Sequence, residues 1–188
     1  MGKKIEKIYQ LVIENYIYLI SKILNIREFR YRGLTNGEVL IAKSVFDNLI
    51  NYNSIKIFNI PYLPWQPKDI LMAPNGSLFV NQKLFAKDYS QCSIAMQGLF
   101  IHELTHVLQY QKHKNVLIRG ALLQTAYYIT FKKYDPYLYT LIEGKEFEQY
   151  NIEQQAEIAR DIFLKKIPNI INNTRLYFVY YQYIIFVH

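Results

Sequence analysis

His102-Glu103-Leu104-Thr105-His106 is the segment of this 188-residue sequence whose residue types and spacing carry the clearest chemistry. On a helix, positions four apart share a face one turn above each other, so two imidazoles so placed can meet a single metal ion. Glu103, directly after the first histidine, stands beside that ion, where it can take a proton from a water. Neutral imidazole nitrogen and carboxylate oxygen at four-coordinate geometry suit Zn2+. Zinc lowers a water's pKa from about 15.7 toward ~7, which makes hydroxide available at neutral pH. The expectation is one catalytic Zn2+ with His102 and His106 as ligands and Glu103 as the general base.

A catalytic zinc ordinarily takes three protein ligands plus a water, so a third ligand must come from elsewhere. The elongated pattern HExxHxxGxxH would place Gly at 109 and His at 112, but Gln109 and Lys112 stand there. His113 is one position late and lacks the glycine turn, so it reads as an exposed polar histidine. Asn151-Ile152-Glu153-Gln154-Gln155-Ala156-Glu157 offers carboxylates instead. Glu153 and Glu157 would share a helix face, and the small Ala156 between them allows close approach to the motif helix. Glu153 is assigned as the third ligand. Glu157 is the alternative ligand or, better, the acceptor of a hydrogen bond from a ligating imidazole N–H. The plain reading of the same residues is a solvated acidic face, since Glu143, Glu146 and Glu148 are close in sequence. An oxyanion-stabilising donor is sought among Arg119, Arg160, Tyr150 and the tyrosines between 127 and 139, with no choice made among them.

These side chains need elements to hold them. Apolar residues at three-four spacing predict a helix over 5–25. Thr35-Asn36-Gly37-Glu38 reads as a capping box opening a second helix through Leu49. Residues 54–60 mix β-branched and polar types as a strand does, and three prolines around Trp65 exclude regular structure over 60–69. Leu71–Ala73 and Ser77–Val80 read as a short hairpin about Pro74-Asn75-Gly76, with Ser77–Val80 as an edge for an extended peptide. A motif helix follows over 93–112, then apolar stretches at 116–131 and 137–142, then a helix over 146–166 ending before Pro168. Leu176–Val187 reads as a buried strand. No repeat or linker divides the chain. The expectation is one α+β domain over residues 1–188. Its motif helix packs on a small N-terminal sheet, and its C-terminal helical half carries the third ligand.

Composition narrows the class. At 51% hydrophobic and 20% charged residues the chain can bury a sizeable core, which excludes disorder as a whole-chain description. Cys92 is the only cysteine, so neither an intrachain disulfide nor a multi-cysteine metal site exists. A net charge of +7 would attract acidic partners. The basic residues are scattered pairs such as Lys132-Lys133, however, so a nucleic-acid partner is disfavoured. No apolar run reaches the ~20 residues of a membrane span. Glu6, Glu14 and Asn15 interrupt the N-terminal stretch, so no cleavable signal peptide is expected.

Phe100–Gln111 and Tyr150–Ile158 together resemble zincin-type, gluzincin-like metallopeptidase domains found with Rhs and VgrG-type bacterial secretion effectors. Met72–Phe79 resembles the hairpin that precedes the motif helix in that group, and the likeness covers about residues 33–166. The resemblance implies a zincin-like fold, with the first acid of the E-x-x-A-E helix, Glu153, as ligand and Glu157 behind it. It also implies a zinc metallopeptidase that hydrolyses a peptide or protein and acts as a bacterial toxin. Such a protein would be made in the bacterial cytoplasm, exported by a specialised secretion system, and paired with an immunity or delivery protein. The rival readings are a catalytically silent zincin-fold binding module and a zinc amidase or peptidase acting on cell-wall peptides.

Overall fold

Thr35 opens its helix as the sequence predicts. In the computed structural model its hydroxyl accepts from the Glu38 N–H at 3.1 Å, and the Glu38 carboxylate accepts from the Thr35 N–H at 2.8 Å. The resulting helix, α1, spans Asn36–Phe46. Glu38 does more than cap. It is wholly buried, and it survives there because Arg32 meets it bidentately at 2.7 Å while the Tyr89 N–H donates at 2.8 Å. Four charge-assisted bonds offset the cost of removing that carboxylate from water. They also pin the first strand and the approach to the motif helix to α1.

The structure describes residues 29–171 together with residues 11, 12, 15, 16, 18, 19 and 22. Those seven residues are helical, as expected for 5–25; the rest of that helix and the strand expected over Leu176–Val187 lie outside the described residues. The sheet is small: β1 (Tyr31–Arg32), β2 (Ile57–Phe58) and β3 (Leu78–Phe79), in that order. β1 pairs antiparallel with β2, and β2 pairs parallel with β3. The strand expected over 54–60 is two residues long, and a 3-10 turn over Tyr52–Ser54 takes its expected first residue. The hairpin expectation survives as a single antiparallel bridge between Met72 and Phe79. Gln66 ties the proline-rich loop that precedes Met72, accepting from the Tyr62 N–H at 2.7 Å and donating to the Ile70 carbonyl at 2.8 Å.

Ser93 caps the motif helix α2, Ile94–Gln111. After Ile129, where helix α3 (Val116–Ile129) ends, residues 137–142 form no regular element. The helix expected from 146 instead begins as α4 at Ile152–Phe163. Asn151 captures its start by accepting from the N–H groups of Glu153 and Gln154, both at 2.9 Å. Residues 147–149 form a separate 3-10 turn.

The core joins Ala42, Val45 and Phe46 of α1, Ile57 and Leu78 of the sheet, Phe100, Leu104 and Leu108 of α2, and Ile158, Ala159 and Ile162 of α4. Helix and sheet thus share one apolar interior, and the described chain is α+β. From Phe100 to Gln109 every residue of α2 is buried. α4 runs antiparallel to it: Gly98 faces Arg160, His102 faces Glu157, and Gln109 faces Ile152. A Cβ on Gly98 would sit 3.4 Å from Arg160 Cγ, in ordinary van der Waals contact. Among the described residues no helix is long and apolar enough to cross a membrane.

Candidate metal centre

The motif sits mid-helix on α2, and its two rings meet nearly edge-on, with centroids 5.1 Å apart and planes at 78°. Glu153 arrives from the first turn of α4. Its Oε2 lies 3.4 Å from Nε2 of His102 and 3.4 Å from Nε2 of His106. The ligand atoms of these three residues all fall within 4.8 Å of one another. Tetrahedral zinc, with bonds of about 2.0–2.2 Å, places neighbouring donor atoms about 3.4 Å apart, so the spacing suits that ion.

The far nitrogens decide the tautomers. His102 Nδ1 lies 2.9 Å from Glu157 Oε1, so it donates there, and in the neutral ring the Nε2 lone pair then faces inward. Glu157 in turn receives the Arg160 guanidinium at 3.2 Å on both oxygens. His106 Nδ1 lies 2.9 Å from Gln109 Oε1. That amide cannot be turned round, because its Nε2 donates to the Ile152 carbonyl at 2.9 Å and to Gln155 Oε1 at 3.0 Å. Gln155 is fixed by its own donation to the Tyr150 carbonyl at 2.7 Å. One histidine therefore has a carboxylate behind it and the other an amide.

Charge at the centre is set by proximity working against burial. Burial alone would depress the His102 imidazole, but Glu153 and Glu157 outweigh it and hold the ring up to about 10. Burial likewise opposes charge on His106, and Glu153 again prevails and raises it. Glu153 would be pushed up by burial, yet the two histidines hold it far below the usual carboxylate range. The carboxylate thus draws two protons onto its neighbours. A divalent cation supplies the same positive charge at the same place, and the donor set fits it.

Glu103 is buried beside this group without belonging to it. Burial raises its carboxyl above the ordinary value, against the pull of both histidines and a hydrogen bond from the Ala73 N–H. A raised carboxylate is a better proton acceptor near neutrality. Of the expected oxyanion donors, Tyr137 places its ring 6.3 Å from that of His102. Burial and the charges of Glu153 and Glu103 push its hydroxyl up, so it stays a proton donor. The Tyr137 segment is clamped to the turn that carries Glu153, for Asn151 Nδ2 donates to the Pro136 carbonyl at 3.1 Å and Gln154 Nε2 to the Leu138 carbonyl at 2.7 Å. Tyr150 is committed elsewhere, donating to the Thr140 carbonyl and accepting from the Ile142 N–H. Arg160 serves Glu157, and Arg119 lies exposed on α3.

His113 ends α2 with a positive φ of 60° and lines a separate cleft, outside the three-residue group. Ser77–Val80 is not the free edge that its sequence suggests: Phe79 exchanges both backbone bonds with Met72, at 3.1 and 2.8 Å, so the 71–74 segment is outermost. Sequence reading missed Gln109 and Gln155. The available signal was Gln109 lying three residues after His106, on the same helical face.

No family model matches the sequence. Over 136 residues, 72% of its length, the chain is 45% identical to the type VI secretion system spike protein VgrG2b of Pseudomonas aeruginosa. It spans 13% of that much longer protein. Among solved structures it is similar to the effector domain of Pseudomonas aeruginosa VgrG2b, with 37% identity and a TM-score of 0.68. That match covers 90% of this chain and 94% of the solved one.

Proposed function

The chain belongs to the family of the VgrG2b effector domain, and from that premise we propose that it is a zincin-type zinc metallopeptidase, exported as a type VI secretion effector. Residues 1–188 are read as its single domain. The observation that carries the chemistry is the convergence of His102, His106 and Glu153 within 4.8 Å beside the buried Glu103. In this reading the three residues hold Zn2+, and Glu157 and Gln109 fix the imidazoles. When bound, the ion supplies Lewis acidity toward a peptide carbonyl and a water. Glu103 takes the water's proton and hands it to the leaving amine. The Tyr137 hydroxyl donates to the developing oxyanion. The substrate is a peptide or protein of the target cell. A secretion spike delivers the enzyme, and an immunity protein guards the producer.

Glu103→Gln tests the reading. It keeps the shape and the ligands, so about one zinc per chain should remain by elemental mass spectrometry. Hydrolysis of a peptide library should fall by roughly 10²–10⁴. Hydrolysis at the wild-type rate would remove Glu103 from the mechanism. A wild-type chain that takes up no zinc would sink the metallopeptidase reading as a whole.

A further inference from the structure

Past the C-terminal end of α2 lies an open cleft of about 550 Å³, lined by Tyr62, Pro74, Tyr110 and Leu117 together with the polar residues Gln111, His113, Lys114 and Asn115. Such a volume holds a peptide side chain and its neighbouring backbone. Three of its lining residues lead to the centre. Pro74 follows Ala73, whose N–H reaches Glu103. Leu117 lies one turn before Gly120, and a Cβ built on Gly120 would sit 3.8 Å from Glu153 Oε1. Lys114 Nζ is 3.5 Å from Gln155 Oε1, the oxygen that also receives Gln109 behind His106.

We propose that this cleft is the subsite that receives a carboxylate-bearing residue of the peptide substrate, with Lys114 as its counter-charge. The assignment rests on the metallopeptidase reading. Its aromatic and aliphatic lining suits the stem of such a residue, and Lys114 gives it a cation. Among the described residues no carboxylate lies within ion-pair distance of Lys114. Glu148, whose charge reaches it, is bonded to Lys112 at 3.0 Å instead. Burial, followed by the nearby charges of Arg119 and Lys112, works against the Lys114 ammonium. An anion entering the cleft would relieve that cost, and the resulting charge-assisted bond is stronger than a neutral one.

Binding can be read apart from hydrolysis on the zinc-treated Glu103→Gln chain. The probes are Ac-Ala-Phe-Glu-Ala-NH2, its Gln counterpart with the same blocked end, and the Gln peptide with a free C-terminal carboxylate. Backbone amide shifts of residues 113–117 report occupancy of the cleft. The Glu peptide should bind about tenfold or more tightly than the blocked Gln peptide. Lys114→Met should erase that preference and Lys114→Arg should restore it, with amides remote from the cleft unmoved in both. A free-carboxylate Gln peptide that matches the Glu peptide supports the subsite and assigns it to a chain terminus rather than a side chain. Equal affinities, a preference that survives Lys114→Met, or no shifts up to about 10 mM peptide would each overturn the proposal. Carboxylate-selective binding by a protein whose wild type cleaves nothing would count against the peptidase reading and leave the subsite standing.

Discussion

His102 and His106 sit one turn apart on the same helix, yet what stands behind each differs in charge and in exposure. Behind His102 is Glu157, itself paired with Arg160, an ion pair in contact with solvent whose side chains are 21% and 38% exposed. Behind His106 is Gln109, which leads to Gln155, and both are almost wholly buried. A carboxylate makes the ligand in front of it more basic and is screened by salt. A buried amide chain adds no charge. It makes the orientations along it interdependent, since turning one amide would set oxygen against oxygen at the next. The first arrangement tunes its histidine, and the second locks its histidine in place.

Removing what both sides share should have the largest effect. Glu153→Ala should lower zinc affinity by well over 100-fold and abolish hydrolysis, as read by zinc titration against a chelator. Gln109→Met comes next, because it strands the His106 N–H in a dry interior and takes a donor from the Ile152 carbonyl and from Gln155 Oε1. It should cost about 2–4 kcal/mol of stability in urea unfolding of the metal-free chain and about 10–100-fold in zinc affinity. Glu157→Gln keeps a hydrogen-bond acceptor and loses only charge. Its zinc affinity should drop about tenfold, with little change in the urea midpoint. If the two variants lose stability equally, the contrast between tuning and locking is wrong.

The smallest effect separates the two sides by pH. In the metal-free chain the stability contributed by His102 is fully present below its ordinary 6.5 and is lost as pH rises toward about 10. That of Glu153 is present above 4.5 and is lost as pH falls toward its lowered value. Melting temperature without metal should therefore be highest between those two pH values and should decline on the alkaline side. Glu157→Gln should flatten the alkaline decline, and Gln109→Met should lower the curve without flattening it. Zinc should stabilise more as pH rises through the same range, because its ligands must shed their protons.

The charged side of the centre was far more legible in the sequence than the neutral side. His102, His106, Glu153 and Glu157 declare themselves by type and four-residue spacing, and Thr35 and Glu38 by their box. Gln109 and Gln155 do not, because an amide's role depends on what faces it, and only the antiparallel approach of α4 to α2 settles that. The start of α4 was misread for a local reason: the acidic run from Glu146 suits a helix, but Asn151 and Gln154 cap one more strongly. Ser77–Val80 looks like an edge until Met72, across a glycine turn, takes its outer backbone. Tyr137 was one of several equivalent tyrosines until hydrogen bonds from Asn151 and Gln154 tethered its loop.

The antiparallel return of α4 also makes the centre a cross-link. His106 and Glu153 are roughly fifty residues apart along the chain. An ion gripping both would close that loop in any partly unfolded state in which the grip persists. A closure of that length removes on the order of 3–4 kcal/mol of chain entropy from the disordered ensemble. In a protein with no disulfide available to it, the metal would then serve as the clasp that resists unravelling.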